Sequence, residues 1–301
     1  MMKIIMTGAG GFVGQNLFGY LQKNNFEIQT LSLRKSNWDQ IIHKTANAIV
    51  HLAGKAHDTK NTREATEYFN VNTDLTIQLF DEFLKSDIRD FIYFSSVKAT
   101  ADIVEGVLNE YHVSAPQTPY GQSKLKAEEY LLSKELPKGK RLFVLRPCMI
   151  HGPGNKGNLN LLSEVVNRGI PYPLGLFNNE RSFLSIDNLN YIIEKILNDD
   201  TIKSGVYNLA DDEFVSTNRL IEIIADIQGG KSRIWNVSKR TIKYIAKLGD
   251  YLRLPLNSER LQKMTENYRV SNKKIKQALN IEKLPFTAEE GLRKTIQSFK
   301  K

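Results

Sequence analysis

The run Thr118-Pro119-Tyr120-Gly121-Gln122-Ser123-Lys124 sets a phenol and an ammonium four residues apart. Thr118 suits an N-cap and Pro119 the first helical position, so the spacing predicts a helix with Tyr120 and Lys124 one turn apart on the same face. A cation beside a phenol favours the phenolate, and such a pair can move a proton near working pH. Taken alone it would read as an ordinary surface pair. Upstream, Ile92-Tyr93-Phe94-Ser95-Ser96 ends an apolar strand in two hydroxyls. In a parallel sheet, ligands collect beyond the carboxyl ends of the strands, which would deliver Ser96 to the same crevice.

A second signal stands at the start of the chain. An apolar strand runs into Gly8-Ala9-Gly10-Gly11-Phe12-Val13-Gly14, and the amphipathic stretch from Asn16 to Leu21 follows. Gly8 permits the tight turn, Gly11 lets backbone N–H groups approach a pyrophosphate, and Gly14 lets the helix pack close to the strand. A glycine triplet by itself is a weak pattern, and a purely structural turn is the competing reading. The strand-turn-helix setting makes it a dinucleotide cradle.

Around these motifs the chain alternates strands and helices. Strands are expected at 2–6, 27–33, 48–52, 91–94 and 141–145, with the clearest amphipathic helices at 71–84 and 120–132. Short apolar strands separated by helices imply an α/β fold, a Rossmann-type doubly wound parallel sheet covered on both faces. After Gly152 the texture becomes turn-rich, with Gly152-Pro153-Gly154, Gly169-Ile170-Pro171 and Pro173-Leu174-Gly175. We therefore expect a nucleotide-binding domain over 1–151, with contributions from about residues 182 to 200, and over 152–301 mainly a smaller α/β substrate lobe.

The 301 residues, 41% of them hydrophobic, are enough to bury a large core or a core and an appended lobe. The N-terminus lacks the pattern of a leader peptide and no apolar run reaches membrane-spanning length, so no transmembrane segment and a cytoplasmic location are expected. Cys148 is the sole cysteine, which excludes an intrachain disulfide and a thiolate metal cluster. The formal charge of +9 raises the question of nucleic acid, but the cations are scattered and densest in late helical stretches. They read as solvated helix faces with no nucleic-acid partner, leaving attraction of small anions or loose contact with an acidic membrane surface.

The chain resembles the extended short-chain dehydrogenase/reductases, in their nucleotide-sugar epimerase/dehydratase-like branch. The resemblance covers nearly the whole chain. It rests on Thr7-Gly8-Ala9-Gly10-Gly11-Phe12-Val13-Gly14, His51-Leu52-Ala53-Gly54, Asn72, Ser95-Ser96, Tyr120 with Lys124, Leu145-Arg146-Pro147, Gly152-Pro153-Gly154 and the run from Arg181 to Leu189. It implies that Tyr120 is the acid/base, Lys124 its partner and a ligand of the cofactor ribose, and Ser96 the hydroxyl donor to the sugar oxygen. It implies cofactor contacts at Gly8, Gly10, Gly11, Phe12, Val13, Gly14, Leu52, Ala53, Gly54 and Asn72. Arg181 is implied as a ligand of the substrate diphosphate, and paired helices across a two-fold axis imply a homodimer.

Departures from the family pattern narrow the chemistry. Dehydratases of the family carry an Asp-Glu pair where this chain has Val97-Lys98, so dehydration lacks its acid and base. The 4-epimerases commonly have an Asn three residues after the Arg-x that ends the fifth strand, where Met149 stands here. Members that use NAD end strand two in Asp; this chain has Leu33-Arg34-Lys35-Ser36, and two cations without a carboxylate suit the 2′-phosphate of NADP. A merely solvated strand end is the alternative. The pattern is most similar to bacterial reductases of UDP-linked 4-keto-6-deoxy-N-acetylhexosamines in surface polysaccharide synthesis, with NADP(H) preferred and NAD(H) possible. A 4-epimerase would use the same Tyr120, Lys124 and Ser96; an NADP-sensing or scaffold protein would be expected to lose Tyr120 or Lys124.

The remaining candidates carry two readings each. Lys98 meets a substrate phosphate or faces solvent, Asn158 contacts the nucleotide or caps a helix, and Arg260 is a weaker diphosphate candidate on a basic late helix. His51 is expected to pack beside the cofactor, His151 lacks sequence neighbours that would make it a metal ligand, and Cys148 is a small hydrophobe. No metal is expected.

Overall fold

A computed structural model describes residues 1–35, 37–42, 46–55, 65–155, 157–252 and 256–300. In the N-terminal half, β1 (Lys3–Thr7) leads into α1 (Phe12–Lys23), β2 (Glu27–Leu31), a short α2 (Trp38–Ile41) and β3 (Ala48–His51). Then come α3 (Ala65–Phe69), a π-helical turn at Asn70–Asp74, α4 (Leu75–Lys85), β4 (Asp90–Phe94), the two-residue β5 (Val107–Leu108), α5 (Pro119–Ser133) and β6 (Arg141–Pro147). Six parallel strands form the main sheet in the order β2-β1-β3-β4-β6-β9, where β9 is Gly205–Leu209. From β1 the chain goes to β2 on one side and then to β3 on the other, so the strand order reverses beside the glycine turn. That reversal opens the crevice in which such sheets hold ligands.

Period-two alternation explains why both faces are apolar. Ile4, Met6, Val50, Ile92 and Phe143 point to one side, where Leu17 and Leu21 of α1 cover them; Ile5, Ile49, Phe91, Tyr93 and Val144 point to the other, under Leu79, Phe80 and Phe83 of α4 and Leu131 of α5. Leu79 and Phe83 are thus spent on their own sheet. The expected strand 27–33 stops at Leu31, and the expected strand 141–145 continues to Pro147. At the edge of the sheet β2 pairs with β1 alone, and the chain turns away once its register with Thr7 ends.

Beyond β6 lie β7 (Met149–His151), α6 (Asn158–Asn167), β8 (Glu180–Ser185), α7 (Ile186–Asn198), β9, β10 (Phe214–Ser216) and α8 (Thr217–Gln228). The chain ends through α9 (Lys239–Leu252), α10 (Ser258–Thr265), β11 (Arg269–Val270), α11 (Lys273–Ala278) and α12 (Ala288–Gln297). This half is not all lobe. Ile192, Ile193 and Ile196 of α7 and Ile275 of α11 join the core under the main sheet, and β9 completes its edge. The strand at β9 was not anticipated: Gly205 opens it and it is only five residues long. The rest builds a small sheet, β10-β8-β7, under α8 and α12, with a further apolar cluster between α9, α10 and the segment around Tyr172.

Candidate active site

The glycine turn divides its work between backbone and ligand. Gly8 has φ +70°, and a Cβ there would stand 2.6 Å from the Ala53 nitrogen; a Cβ on Gly14 would stand 2.3 Å from the Gly8 carbonyl oxygen. Those two glycines are demanded by close packing of β1, α1 and the segment after β3. A Cβ on Gly10 would meet nothing within 4 Å, and one on Gly11 only the Gly8 carbonyl oxygen at 3.4 Å. Gly11 caps α1 without a side chain, so the first N–H groups of the helix face this open side. The residues present therefore fit a pyrophosphate. Phe12 and Val13 pack against the core behind it, and Gly152 has no room for a side chain between Phe12 and Ile186.

On the far side of β1, the end of β3 is held by a buried polar chain. Thr7 Oγ1 hydrogen-bonds His51 Nδ1 at 2.7 Å, and His51 Nε2 hydrogen-bonds Thr76 Oγ1 at 2.8 Å. Burial, helped by the nearby Lys124 charge, pushes the His51 imidazole down to about 3, so it stays neutral. Thr7 Oγ1 also accepts from the Ala53 N–H at 3.2 Å. Leu52, Ala53 and Gly54 are thereby laid along the glycine turn. Asn72 lies in the π-helical turn, a kind of irregularity that recurs at functional sites. It accepts from the Lys55 N–H at 2.8 Å and donates to the Lys55 carbonyl at 3.1 Å and to Ser123 Oγ at 3.0 Å, tying the β3 segment to α5.

Helix α5 begins as its sequence directs, with Thr118 accepting from the Gly121 N–H and Pro119 in the first turn. Gly121 is needed because a Cβ would stand 2.4 Å from the Lys98 carbonyl oxygen. Tyr120 is half-buried, its ring 6.2 Å from that of Tyr68, and its phenol lies close to the Ser96 side chain. Lys124 is buried. Its ammonium donates to the Phe94 carbonyl at 2.8 Å and lies over the Tyr93 ring. A Cβ on Gly54 would fall 3.0 Å from Asn72 Oδ1 and 3.1 Å from Lys124 Nζ, so the two side chains meet at Gly54.

The electrostatics correct one expectation. Burial raises the Tyr120 phenol above its ordinary value, the Ser96 side chain works the other way, and Tyr68 adds a small upward effect. The Lys124 ammonium is directed to the last carbonyl of β4, and burial outweighs any lowering of the phenol. Burial lowers Lys124 itself to about 8, although Glu128 partly restores it. Glu128 is a residue that the sequence reading passed over. One turn beyond Lys124, it accepts from Ser95 Oγ and forms a buried ion pair with Arg146, whose Nε lies 3.0 and 3.1 Å from its two oxygens. The signal was present in the four-residue spacing Tyr120, Lys124, Glu128 along one helix.

Other candidates are spread more widely. Arg34 and Lys35 are exposed in the turn after β2, beside the glycine turn because Leu31 pairs in register with Thr7; Ser36 lies outside the described residues. Lys98 donates to the Asp102 carbonyl at 2.8 Å and lies 4.1 Å over the Tyr268 ring; burial lowers its ammonium, Asp102 and Glu266 work against that, and Arg181 and Lys263 add to the lowering. Arg181, on β8, donates to the Lys263 carbonyl at the end of α10, while its Nε is buried without a hydrogen-bond partner. Arg181 is thus close enough for its charge to act on Lys98. Arg260 is exposed in the first turn of α10, and no described contact joins it to Arg181. Asn158 opens α6, and its side chain lies outside the described residues.

Two residues outside this site have plain structural duties. His151 ends β7, is buried, and hydrogen-bonds Thr295 Oγ1 at 2.9 Å. Cys148 is a free thiol that burial raises well above its usual range. Among the described residues no group of His, Cys, Asp and Glu could hold a metal ion, and no helix is long and apolar enough to cross a membrane.

Comparison with known proteins agrees with this geometry. The sequence profile of the NAD dependent epimerase/dehydratase family matches residues 4–210. A UDP-glucose 4-epimerase of Vibrio cholerae is 28% identical over 98% of this chain and 95% of its own length. A UDP-2-acetamido-2,6-beta-L-arabino-hexul-4-ose reductase of Pseudomonas aeruginosa is 26% identical over 77% of this chain and 59% of its own. The fold is shared with RMD from Pseudomonas aeruginosa complexed with NADPH, at TM-score 0.76 and 22% identity over 99% of both chains.

Proposed function

This chain belongs to the NAD dependent epimerase/dehydratase family, and from that premise we propose that it is an NADPH-dependent reductase of the C4 ketone of a nucleotide-linked 4-keto-6-deoxy amino sugar. The substrate we favour carries UDP, for surface polysaccharide synthesis, and the enzyme works in the cytoplasm. The observation that carries the cofactor choice is the exposed Arg34-Lys35 turn beside the pyrophosphate cradle, with no carboxylate in it. Two relatives support a reductase: the hexulose reductase by its name, and RMD by the NADPH it holds.

When bound, the reduced nicotinamide supplies a hydride to the sugar C4. The chain's own residues do the rest. Gly10, Gly11 and the N-terminus of α1 hold the pyrophosphate, and Arg34 with Lys35 neutralises the 2′-phosphate. Lys124, anchored at the end of β4, reaches the ribose beside Asn72 and Gly54. Tyr120 gives its proton to the developing C4 alkoxide, and a raised phenol suits it to be the protonated donor at neutral pH. Ser96 donates a hydrogen bond to the same oxygen, so two preformed donors aim at charge that exists only in the transition state. Lys98 and Arg181 hold the diphosphate, and binding of the unreacting nucleotide fixes the reacting carbon. Incubation with NADPH and a panel of UDP-4-keto sugars, with products weighed by mass spectrometry, tests this reading. Products that gain two hydrogens support it; C4 epimers formed without net consumption of NADPH overturn it.

A second reading, an NAD-dependent 4-epimerase, draws on the Vibrio cholerae relative, which aligns along nearly the whole chain. It uses the same Tyr120, Lys124 and Ser96 and separates from the first by retention of the cofactor. The homodimer implied by resemblance is also proposed, through residues of α4 and α5 that do not face the sheet. Light scattering that gives a monomer at micromolar concentration rejects it.

A further inference from the structure

Helix α9 buries a narrow stripe and leaves a broad one in solvent. Ile242, Ala246 and Gly249 face the interior. Tyr244, Leu248 and Tyr251, spaced four and three residues apart, share the opposite face and are 71%, 45% and 86% exposed, with Leu252 beside them at 52%. Along one flank stand Lys239, Arg240, Lys243 and Lys247, all exposed. Among the described residues Arg240, Lys243 and Lys247 have no carboxylate partner. The helix has one acid, Asp250, and it is committed elsewhere: it accepts from the Ser258 N–H at 2.9 Å and from Ser258 Oγ at 2.5 Å. Trp235, four residues before the helix, is 58% exposed on a segment that also carries exposed Lys231 and Arg233.

Two exposed tyrosines and two exposed leucines bordered by four cations are the composition of a helix that lies in a lipid interface: apolar side chains enter the acyl boundary and cations remain among the phosphates. We propose that α9 docks this protein on the surface of an anionic bilayer, with Tyr244, Leu248, Tyr251 and Leu252 inserted and Lys239, Arg240, Lys243 and Lys247 over the headgroups. A second copy of the chain fits this face poorly. A two-fold contact would set the four cations against their mates while Asp250 is already bonded. An acidic lipid surface supplies the missing countercharge, and the contact lies in the interface without spanning it.

The docking face is coupled to the cleft by packing. A Cβ on Gly249 would stand 1.9 Å from the Leu256 carbonyl oxygen, so the backbone of α9 packs directly against the backbone just before α10. At the other end of α10, the Lys263 carbonyl accepts from Arg181. A lipid-bound α9 therefore fixes how the Arg181 side of the cleft faces the membrane. This last step rests on the substrate reading above; the docking itself does not.

Co-flotation of the full chain with vesicles of phosphatidylcholine alone, and of phosphatidylcholine with phosphatidylglycerol, tests the proposal. Binding is expected to the mixed vesicles alone and to weaken with salt. K243E/K247E is expected to lower it at least about tenfold, and Y244S/L248S/Y251S is expected to lower it with the charge intact. The control K23E/K138E changes net charge equally at exposed positions away from α9 and should bind like wild type. Each variant is compared at equal melting temperature by circular dichroism. Failure to bind the mixed vesicles overturns the proposal, as does equal loss in the control or retention by the tyrosine-leucine variant. Light scattering in which that variant alone turns a dimer into a monomer, with vesicle binding kept, assigns the face to a second copy and overturns it too.

Discussion

The ammonium of Lys124 donates to the carbonyl oxygen of Phe94 at 2.8 Å, so the lysine of the helix is anchored at the end of the strand that continues into Ser95 and Ser96. The lysine and the serine are therefore placed from one point of the backbone, and Tyr120, one turn before Lys124, is brought to Ser96. In the proposed reading that anchor makes Lys124 a fixed cation beside the cofactor, while burial keeps the phenol protonated.

Lys124 gives opposite pH trends for activity and stability. Its folded value near 8 lies below its unfolded one, so the unfolded chain binds the extra proton between about 8 and 10.5. The lysine's burial penalty is relieved as pH rises through that window, while its charge in the site is lost. Accordingly kcat/KM is expected to fall above about pH 8, and the Lys124 contribution to stability is expected to improve over the same range. Lys124→Met should weaken NADPH binding, lower turnover and remove both trends, read from pH profiles and denaturant titrations of the pair.

His51 makes the fold sensitive to acid. Its folded value near 3 is far below an ordinary imidazole, so between about 6.5 and 3 the unfolded state binds the proton and the native state does not. Its contribution is fully present above about pH 6.5 and is lost as pH falls. Urea unfolding at pH 7 and pH 5 should differ by about 2 kcal/mol from this residue, and His51→Gln should show that much less pH dependence.

The Glu128–Arg146 pair is buried and also takes the Ser95 hydroxyl. Glu128→Ala leaves a guanidinium without its counterion and is expected to cost about 3 to 5 kcal/mol in chemical denaturation. Glu128→Gln, which keeps the side chain's size and one acceptor oxygen but sets an amide donor in place of the other, should cost less. A surface-like loss below about 1 kcal/mol for Glu128→Ala would mean that the pair is solvated.

For the cofactor, Arg34→Ala is expected to weaken NADPH by about 1.5 to 3 kcal/mol and to leave NADH unchanged, as isothermal titration reads it. Equal affinity of the unaltered protein for both cofactors would move the weight to the NAD-dependent epimerase.

What could be read in the sequence was what depends on local spacing. The glycine turn, the cap at Thr118 and the apolar strands β1, β3, β4 and β6 are set by neighbours in sequence, and they lie within a few residues of where they were expected. What escaped depends on partners far along the chain. The strand β9 has only five residues, and only the free edge of β6 explains it. Asn72 falls in a π-helical turn within what reads as one continuous helix, so its reach to Lys55 and Ser123 has no periodic signature. The pairing of Glu128 with Arg146 joins a helix to a strand end, and the upward shift of Tyr120 comes from burial, which spacing alone does not report.

Turnover by Tyr120→Phe, with NADPH and an accepted UDP-4-keto sugar, tests the proton-donor assignment most directly. The substitution removes one hydroxyl and keeps the ring against Tyr68, so melting temperature and NADPH affinity should stay as they are. Turnover should fall by a factor on the order of 100 to 10,000. Near wild-type turnover in that variant would contradict the account and require another donor for the C4 oxygen.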